Sequence, residues 1–404
     1  MKAEIPQFAR TGIDAAHRKI IHPYLTHGKA KEDREVAHTR SLSLMTHIQD
    51  HSSLMRMTRE MFVYEDKILE THIAPEFALP NPIIMSAGFD KKAEVYRFLG
   101  EGLGFGAVTV GTITKIPYRG NERPRIFDLP TSDGLINRMG FPGDGSDKAE
   151  AELNRDNPLK RDYKLLISVG ASKPSFEKGT EIEDFVAVAK QLIVFGDGQE
   201  QNISSPNTSG VTGLQKRYSE LAPALNQEVY KPYAAVTHNR NFIVLAKVSP
   251  DIPAAARDEL MKIGIDNGVN VYVLGNTTLD KDIKLGLNPN DVHRSEQGGV
   301  SGQPLRAKTL ENSHEAYTLT GGEVPIIMSG GIKTAEDIWN ALTYGGASAV
   351  EIYSAFVRPN SSTPNLVYYL LRDLAHAMKI NDMHNMDDFK ILRGKKVPYP
   401  LTKK

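Results

Sequence analysis

From residue 81 onward the chain alternates short β-rich runs with stretches of helical period, and this alternation restricts the fold more than any other feature. Repeated βα units demand a parallel sheet, because each strand needs a crossover before the next can lie beside it. Eight runs stand out: Pro82–Ala87, Ala107–Thr114, Leu165–Gly170, a weak one before Asn202, Phe242–Val248, Asn270–Leu274, Val324–Ser329 and Ala349–Tyr353. Several are almost continuously apolar (IIMSAG, FIVLAKV, VPIIMSGG), as strands covered on both faces should be. Eight units predict an α/β fold, a (β/α)8 TIM barrel; a doubly wound sheet usually has fewer, and no early glycine fingerprint supports one. The fourth run is discordant, because Gly198-Gln-Glu-Gln201 is polar where a buried strand should be apolar. Between the last two runs, Thr334-Ala-Glu-Asp337 predicts an N-cap with an acidic third residue, opening a helix through Leu342.

The chain before the barrel has a different character. Residues 1–66 read as a small N-terminal helical cap and 67–404 as the barrel domain. Two helices are expected, Ile13–Leu25 and Asp33–Phe62, separated by His27-Gly28-Lys29. In the second, Leu44, Ile48, Met55 and Phe62 share one face by the 3.6 period. Lys67–His72 and Pro75–Leu79 read as a short hairpin closing the barrel's bottom. A last helix, Leu366–Met378, precedes a polar, basic tail. No run approaches the roughly 18 apolar residues of a membrane span. Met1–Arg10 carries charges and a proline, unlike a signal peptide. Basic and acidic residues balance at 49 each, so no global field favours nucleic acid. The complete lack of cysteine excludes disulfides, thiolate metal sites and any cysteine nucleophile or base.

In such a barrel the chemistry belongs at the C-terminal ends of the strands. Read in order, those ends are Ala87-Gly88-Phe89-Asp90-Lys91, Thr112, Ser168, Asn202-Ile-Ser-Ser-Pro-Asn207-Thr208, Lys247, Asn276-Thr277, Gly330-Gly331 and Tyr353-Ser354. The set is rich in amides and hydroxyls, with two lysines and little acid. It suits a planar, anionic ligand with many hydrogen bonds, and not a metal, which would want carboxylates or histidines. Gly330-Gly331 and Tyr353-Ser354 occupy the phosphate position of this fold, although a glycine pair also simply permits a tight turn. Lys247 ends an apolar strand and needs a partner there. Either a reduced flavin or an acid on a neighbouring strand would serve.

Several segments together resemble the class 2, quinone-dependent dihydroorotate dehydrogenase family. They are Asn81-Pro-Ile-Ile-Met-Ser-Ala-Gly-Phe-Asp-Lys91, Gly111-Thr112 with Gly120-Asn-Glu-Arg-Pro-Arg125, Ile136-Asn-Arg-Met-Gly-Phe141 and Asn202-Ile-Ser-Ser-Pro-Asn-Thr208. Asn276-Thr-Thr-Leu-Asp280, Gly298-Gly-Val-Ser-Gly-Gln-Pro304 and Ile352-Tyr-Ser354 continue the match in order, and Asp33–His38 resembles the family's N-terminal helix start. The resemblance implies oxidation of (S)-dihydroorotate to orotate in de novo pyrimidine synthesis, with FMN as hydride acceptor and a membrane quinone reoxidising it. It implies cofactor contacts from Ala87, Gly88, Asp90, Lys91, Thr112, Ser168, Asn202, Lys247, Gly275, Gly302, Gly331, Tyr353 and Ser354. Substrate contacts are implied for Lys91, Asn137, Arg138, Met139, Gly140, Phe141, Asn202, Asn207, Asn276 and Thr277. Ser205, the second serine of its motif, matches the family's base; class 1 members use cysteine at that place, which this chain lacks. The N-terminal segment would touch the cytoplasmic face of a membrane and cover the quinone's access; the alternatives are a helix pair that merely packs on the barrel and a soluble protein.

The chain departs from the family pattern at Ser168 and Gly275, where asparagine and threonine are usual, at Pro142-Gly143, and in the loop Ser209–Gln215, a lid candidate. Two other functions fit a flavin-type barrel less well. One is an FMN oxidoreductase of another pyrimidine, which usually works through cysteine. The other is a non-catalytic barrel that binds a phosphorylated ligand, against which the intact set Lys91, Asn137, Ser205, Asn207 and Lys247 argues.

Overall fold

The computed structural model describes residues 7–31, 33–155, 161–204, 211–237, 241–358 and 363–400. Its centre is a closed barrel of eight parallel strands, each within a few residues of a predicted run. They are β1 (Ile83–Met85), β2 (Ala107–Ile113), β3 (Lys164–Val169), β4 (Gly198–Asn202), β5 (Ile243–Val248), β6 (Val271–Leu274), β7 (Ile326–Ser329) and β8 (Ala349–Ile352). Pairing of β8 with β1, Val350 opposite Ile83, closes the ring.

The polar fourth strand is fully buried, and its pattern is now explicable. Gln199 and Gln201 face the surrounding helices. Gln199 Nε2 donates to the Ala189 carbonyl at 2.9 Å, and Gln201 accepts from Tyr218 Oη at 2.8 Å and donates to Tyr230 Oη at 3.2 Å. Glu200 and Asn202 face inward, toward Lys247 and the barrel mouth. Burial requires hydrogen-bonding partners more strictly than it requires apolarity.

The predicted hairpin forms as Thr71–Ala74 paired antiparallel with Phe77–Leu79. Its Ile73, Phe77 and Leu79 join Ile84, Ala107, Leu166, Leu245, Val273, Ile327 and Ala349 in one apolar cluster, which fills the lower barrel. With that end packed solid, a ligand can enter only from the other. There an inserted three-stranded antiparallel sheet, Ile126–Leu129, Gly134–Asn137 and Gly299–Gly302, brings Asn137 and Gly302 to the mouth. The capping box at Thr334 and Asp337 forms and opens Ala335–Leu342, and the last helix runs Leu366–Ile380.

The helical stretch expected over Ile13–Leu25 starts earlier, with Gln7–Ala16 continuing through His17–Ile21 into His22–Thr26, and the second differs more. The single helix predicted over Asp33–Phe62 is two, Arg34–Gln49 and Ser52–Phe62. Asp33 caps the first, its carboxylate accepting from Glu35 N at 2.9 Å. The break falls at Asp50-His51-Ser52, side chains that compete for backbone hydrogen bonds, and His51 is extended at φ −115° and ψ 106°. The bend divides the predicted stripe. Met55 and Phe62 are buried in the main core, Ile48 packs against it in part, and Leu44 is 40% exposed. The exposed apolar side chains of this region are instead Phe8, Ile20, Ile21, Tyr24, Leu44 and Met57. Among the described residues no helix is long and apolar enough to cross a membrane.

Candidate active site

The turn after β1 is held by its backbone. Ser86 N donates to the Ile352 carbonyl at 3.1 Å, and Gly88, at φ 103°, donates to the Gly111 carbonyl at 2.7 Å. Asp90 is wholly buried and its carboxylate caps the following turn, accepting from Glu94 N and Val95 N at 2.8 Å each. Burial pushes its pKa up to about 6. This fixed turn presents Lys91, whose Nζ donates to the Gly88 carbonyl at 2.5 Å. Loss of water pulls the Lys91 pKa down to about 8, against the upward pull of Glu35.

A string of hydrogen bonds then crosses the mouth from β3 to the end of β6. Ser168 Oγ lies 3.1 Å from Thr112 Oγ1, which accepts from Asn202 Nδ2 at 2.6 Å. Asn202 Oδ1 accepts from Ser204 N at 3.3 Å and from Ser204 Oγ at 3.2 Å. Ser204 Oγ in turn accepts from Asn276 Nδ2 at 2.9 Å, and Asn276 Oδ1 accepts from Thr277 N at 2.8 Å. Each side chain fixes the next, so the polar edge facing the cleft is preorganised. The hydroxyl of Thr277 is buried there without a partner among the described residues.

Beside Asn202 in this edge, on the adjoining β5, lies Lys247, only 3% exposed. Its Nζ is 2.7 Å from Glu351 Oε2, 3.1 Å from Ser86 Oγ and 3.7 Å from Glu200 Oε2. Burial works against the ammonium, but the two carboxylates outweigh it and hold its pKa above the ordinary value. Burial also pushes the Glu200 carboxyl up, to about 7, with Lys247 opposing and Glu351 adding to the rise. Of the two partners expected for Lys247, the structure shows the acid: Glu200 on the neighbouring β4 stands at 3.7 Å and Glu351, across the barrel on β8, is closer; Lys247 also lines the cleft. The reading of the strand ends as poor in acid missed Glu351 and Glu200. The signal was a glutamate at an inward position of each strand.

At the other end of the cleft Gly330 and Gly331 turn with φ of 134° and 74°, and Gln303 Nε2 donates to the Gly331 carbonyl at 2.7 Å. Ser354 Oγ sits 2.9 Å from Ser301 Oγ. Arg358 pairs with Asp128 at 3.2 Å and with Asp133, and Lys333 also pairs with Asp133.

One cleft of about 1280 Å3, counting its open mouth, collects most of the predicted residues. Ala87, Gly88, Lys91, Thr112, Asn137, Met139, Gly140, Phe141, Asn202, Lys247, Asn276, Thr277, Gly302, Gly331, Tyr353 and Ser354 all line it. Four do not. Asp90 and Ser168 are buried behind the residues they hold, Arg138 turns to Glu296 and the Pro124 carbonyl, and Gly275 is backbone packing. A Cβ on Gly275, at φ 125°, would fall on the Ser329 carbonyl oxygen, so the strand end admits no side chain. Ser205 and Asn207 lie outside the described residues, as does the start of the loop Ser209–Gln215, whose remainder belongs to the helix Val211–Lys216. Ser86, Ser301, Gln303, Lys333, Glu351 and Arg358 line the cleft without having been predicted.

A second cavity, about 960 Å3 with its opening, lies between the helix Arg34–Gln49 and the turn after β1. His38 Nε2 is 2.9 Å from the Phe89 carbonyl, and burial lowers its pKa to about 3. Glu35 receives a two-pronged ion pair from Arg125, at 2.6 and 2.7 Å. Lys91 and Pro142 line both cavities.

A family model described as dihydroorotate dehydrogenase matches residues 68–378. A dihydroorotate dehydrogenase (quinone) from Erythrobacter litoralis is 36% identical over 309 residues, which is 76% of this chain and 84% of that one. Another, from Deinococcus deserti, is 32% identical over 354 residues, 87% and 93% of the two chains. The crystal structure of ligand-free DHODH from Eimeria tenella is similar at a TM-score of 0.77 and 27% identity, covering 91% of this chain and 100% of that one.

Proposed function

The chain belongs to the dihydroorotate dehydrogenase family of FMN-dependent oxidoreductases, and we propose that it oxidises dihydroorotate to orotate at the barrel mouth and passes the electrons to a membrane quinone. The observation that carries this reading is the convergence on one cleft of a preorganised amide and hydroxyl edge, a buried lysine and a glycine-cornered far end. These fit FMN. The Thr112, Ser168 and Asn202 part of the string suits a flavin edge, and Asn276 with the orphaned Thr277 hydroxyl suits a second ring beside it, since both rings donate and accept. The glycine corners let backbone N–H groups approach a phosphate, and Lys333 and Arg358 line the same cleft, both paired with Asp133. Bound there, FMN supplies an acceptor for hydride.

In this reading Ala87, Gly88, Lys91, Thr112 and Lys247 hold the ring, and Gly302, Gly331, Tyr353 and Ser354 the phosphate, while Asp90, Ser168 and Gly275 set the positions of these groups. Asn137, Met139, Gly140, Phe141, Asn202, Asn207, Asn276 and Thr277 hold the pyrimidine, Arg138 being turned away to Glu296, and Lys91 pairs with its carboxylate. Oxidation removes a hydride from one carbon and a proton from the neighbouring carbon beside the carbonyl. Ser205 takes that proton. A serine needs a relay to do so, and Thr208 or a water is the assigned one.

The N-terminal cap, residues 1–66, serves the second half of the cycle. The cavity under Arg34–Gln49 shares Lys91 with the cleft, which supports it as the quinone's way in. Phe8, Ile20, Ile21 and Tyr24, exposed beside Arg18 and Lys19, suit peripheral contact with the cytoplasmic face of a membrane. The visible spectrum of the purified protein tests the core of this reading. Flavin absorbance that dihydroorotate bleaches without oxygen is expected; absence of flavin, or flavin indifferent to dihydroorotate, overturns it.

A further inference from the structure

The group that the mechanism leaves unused is Glu200. It is fully buried, does not line the cleft that Lys247 lines, and among the described residues neither of its carboxylate oxygens has a partner within hydrogen-bond distance, Lys247 Nζ standing 3.7 Å away. Glu351, by contrast, has the close contact with Lys247 Nζ at 2.7 Å and accepts from Ser86 Oγ at 2.8 Å. One ammonium thus faces two carboxylates in a water-poor barrel. If both are ionised the cluster carries a net negative charge with nothing to solvate it, which is costly. Lys247 is already matched by Glu351. The group with a proton to gain or lose is the one without hydrogen bonds.

We propose that Glu200 is a positioning residue that acts through Lys247, taking up a proton from solvent when negative charge arrives on the cofactor ring beside that lysine. The proposal rests on the FMN reading above. The balance is as follows. Oxidation of dihydroorotate delivers a hydride, two electrons and one proton, and leaves one added negative charge on the ring. An ionised Glu200 then faces that charge across a lysine it shares with Glu351, and it binds one proton. Where Glu200 is ionised beside the oxidised ring, reduction therefore consumes two electrons and two protons; where it is already protonated, two electrons and one. The charged groups acting on it are Lys247 on β5 and Glu351 on β8, while Ser168 on the adjacent β3 is neutral. Its strand neighbours Gln199 and Gln201 face the helices and are uncharged. Burial places the change of charge close to neutral pH.

The test is the flavin's midpoint potential as a function of pH, measured by dye equilibration on the purified holoprotein and on Glu200→Gln. Wild type should show a segment above neutral pH in which the potential falls twice as steeply per pH unit as in Glu200→Gln. The two proteins should converge at acid pH, and Glu200→Asp should restore the steep segment. The comparison separates Glu200 from any proton bound by the ring itself. A single shallow slope in wild type overturns the proposal even if the variants fail to fold, and so do superimposable curves for wild type and Glu200→Gln. Either result leaves the FMN reading standing. A protein purified without flavin removes both.

Discussion

Lys91 stands where the two cavities meet, and loss of water there brings its pKa down to about 8. Its ammonium is complete below that pH and is lost as pH rises through it. The KM for dihydroorotate should therefore climb above roughly pH 8, and Lys91→Ala should have a raised KM with no such climb. A charged hydrogen bond of about 1.5–3 kcal/mol corresponds to a rise of roughly 10- to 100-fold. A pH-independent KM in wild type would separate Lys91 from the substrate carboxylate. Ser205→Ala should leave orotate and flavin binding intact while slowing flavin reduction by about 10²–10⁴-fold, the usual worth of a general base. A wild-type single-turnover rate would remove Ser205 from the chemistry. At this scale the sequence shows which residues end the strands, because those ends are fixed by the βα alternation. It does not show which neighbours share a space. Glu351 and Lys247 are 104 positions apart in the chain, and only closure of the barrel brings Nζ to Oε2.

Among the elements, strand ends and helix caps follow directly from local chemistry. Thr334 and Asp337 form their capping box because the spacing alone satisfies the helix's first amide groups. The break after Gln49 is harder to read, since an apolar period continues through it and only Asp50-His51-Ser52 argues otherwise. The polar β4 reads poorly for a related reason: its outer glutamine amides are satisfied by groups on the helices that flank it, the Ala189 carbonyl and the hydroxyls of Tyr218 and Tyr230. Two predictions belong here. Gly275→Ala should destabilise the end of β6, by about 1–3 kcal/mol from the backbone conformation alone, with the clash on the Ser329 carbonyl added. An unchanged Tm would contradict the geometry. Ile20→Asp combined with Tyr24→Asp should weaken binding to anionic phospholipid vesicles and slow reoxidation by long-chain quinone, with flavin reduction by dihydroorotate unchanged. Equal vesicle binding would leave the helices as packing elements.

The whole molecule divides its work by position. Below, the hairpin at Thr71–Leu79 and an apolar cluster close the barrel. Above, the mouth holds a fixed polar edge, a buried lysine and a glycine-cornered end. To one side, the helix Arg34–Gln49 is tied down by the Glu35–Arg125 pair and by Gln49, whose side chain bonds Glu94 O and Phe98 N at 3.0 Å each. That division implies two separable half-reactions, and stopped-flow absorbance on the full-length protein measures both. Anaerobic mixing with dihydroorotate should bleach the flavin, and a second mixing with a short-chain ubiquinone should restore it quickly, while fumarate and NAD+ should not. Flavin that dihydroorotate does not bleach, or that fumarate or NAD+ reoxidises in preference to the quinone, would contradict the account.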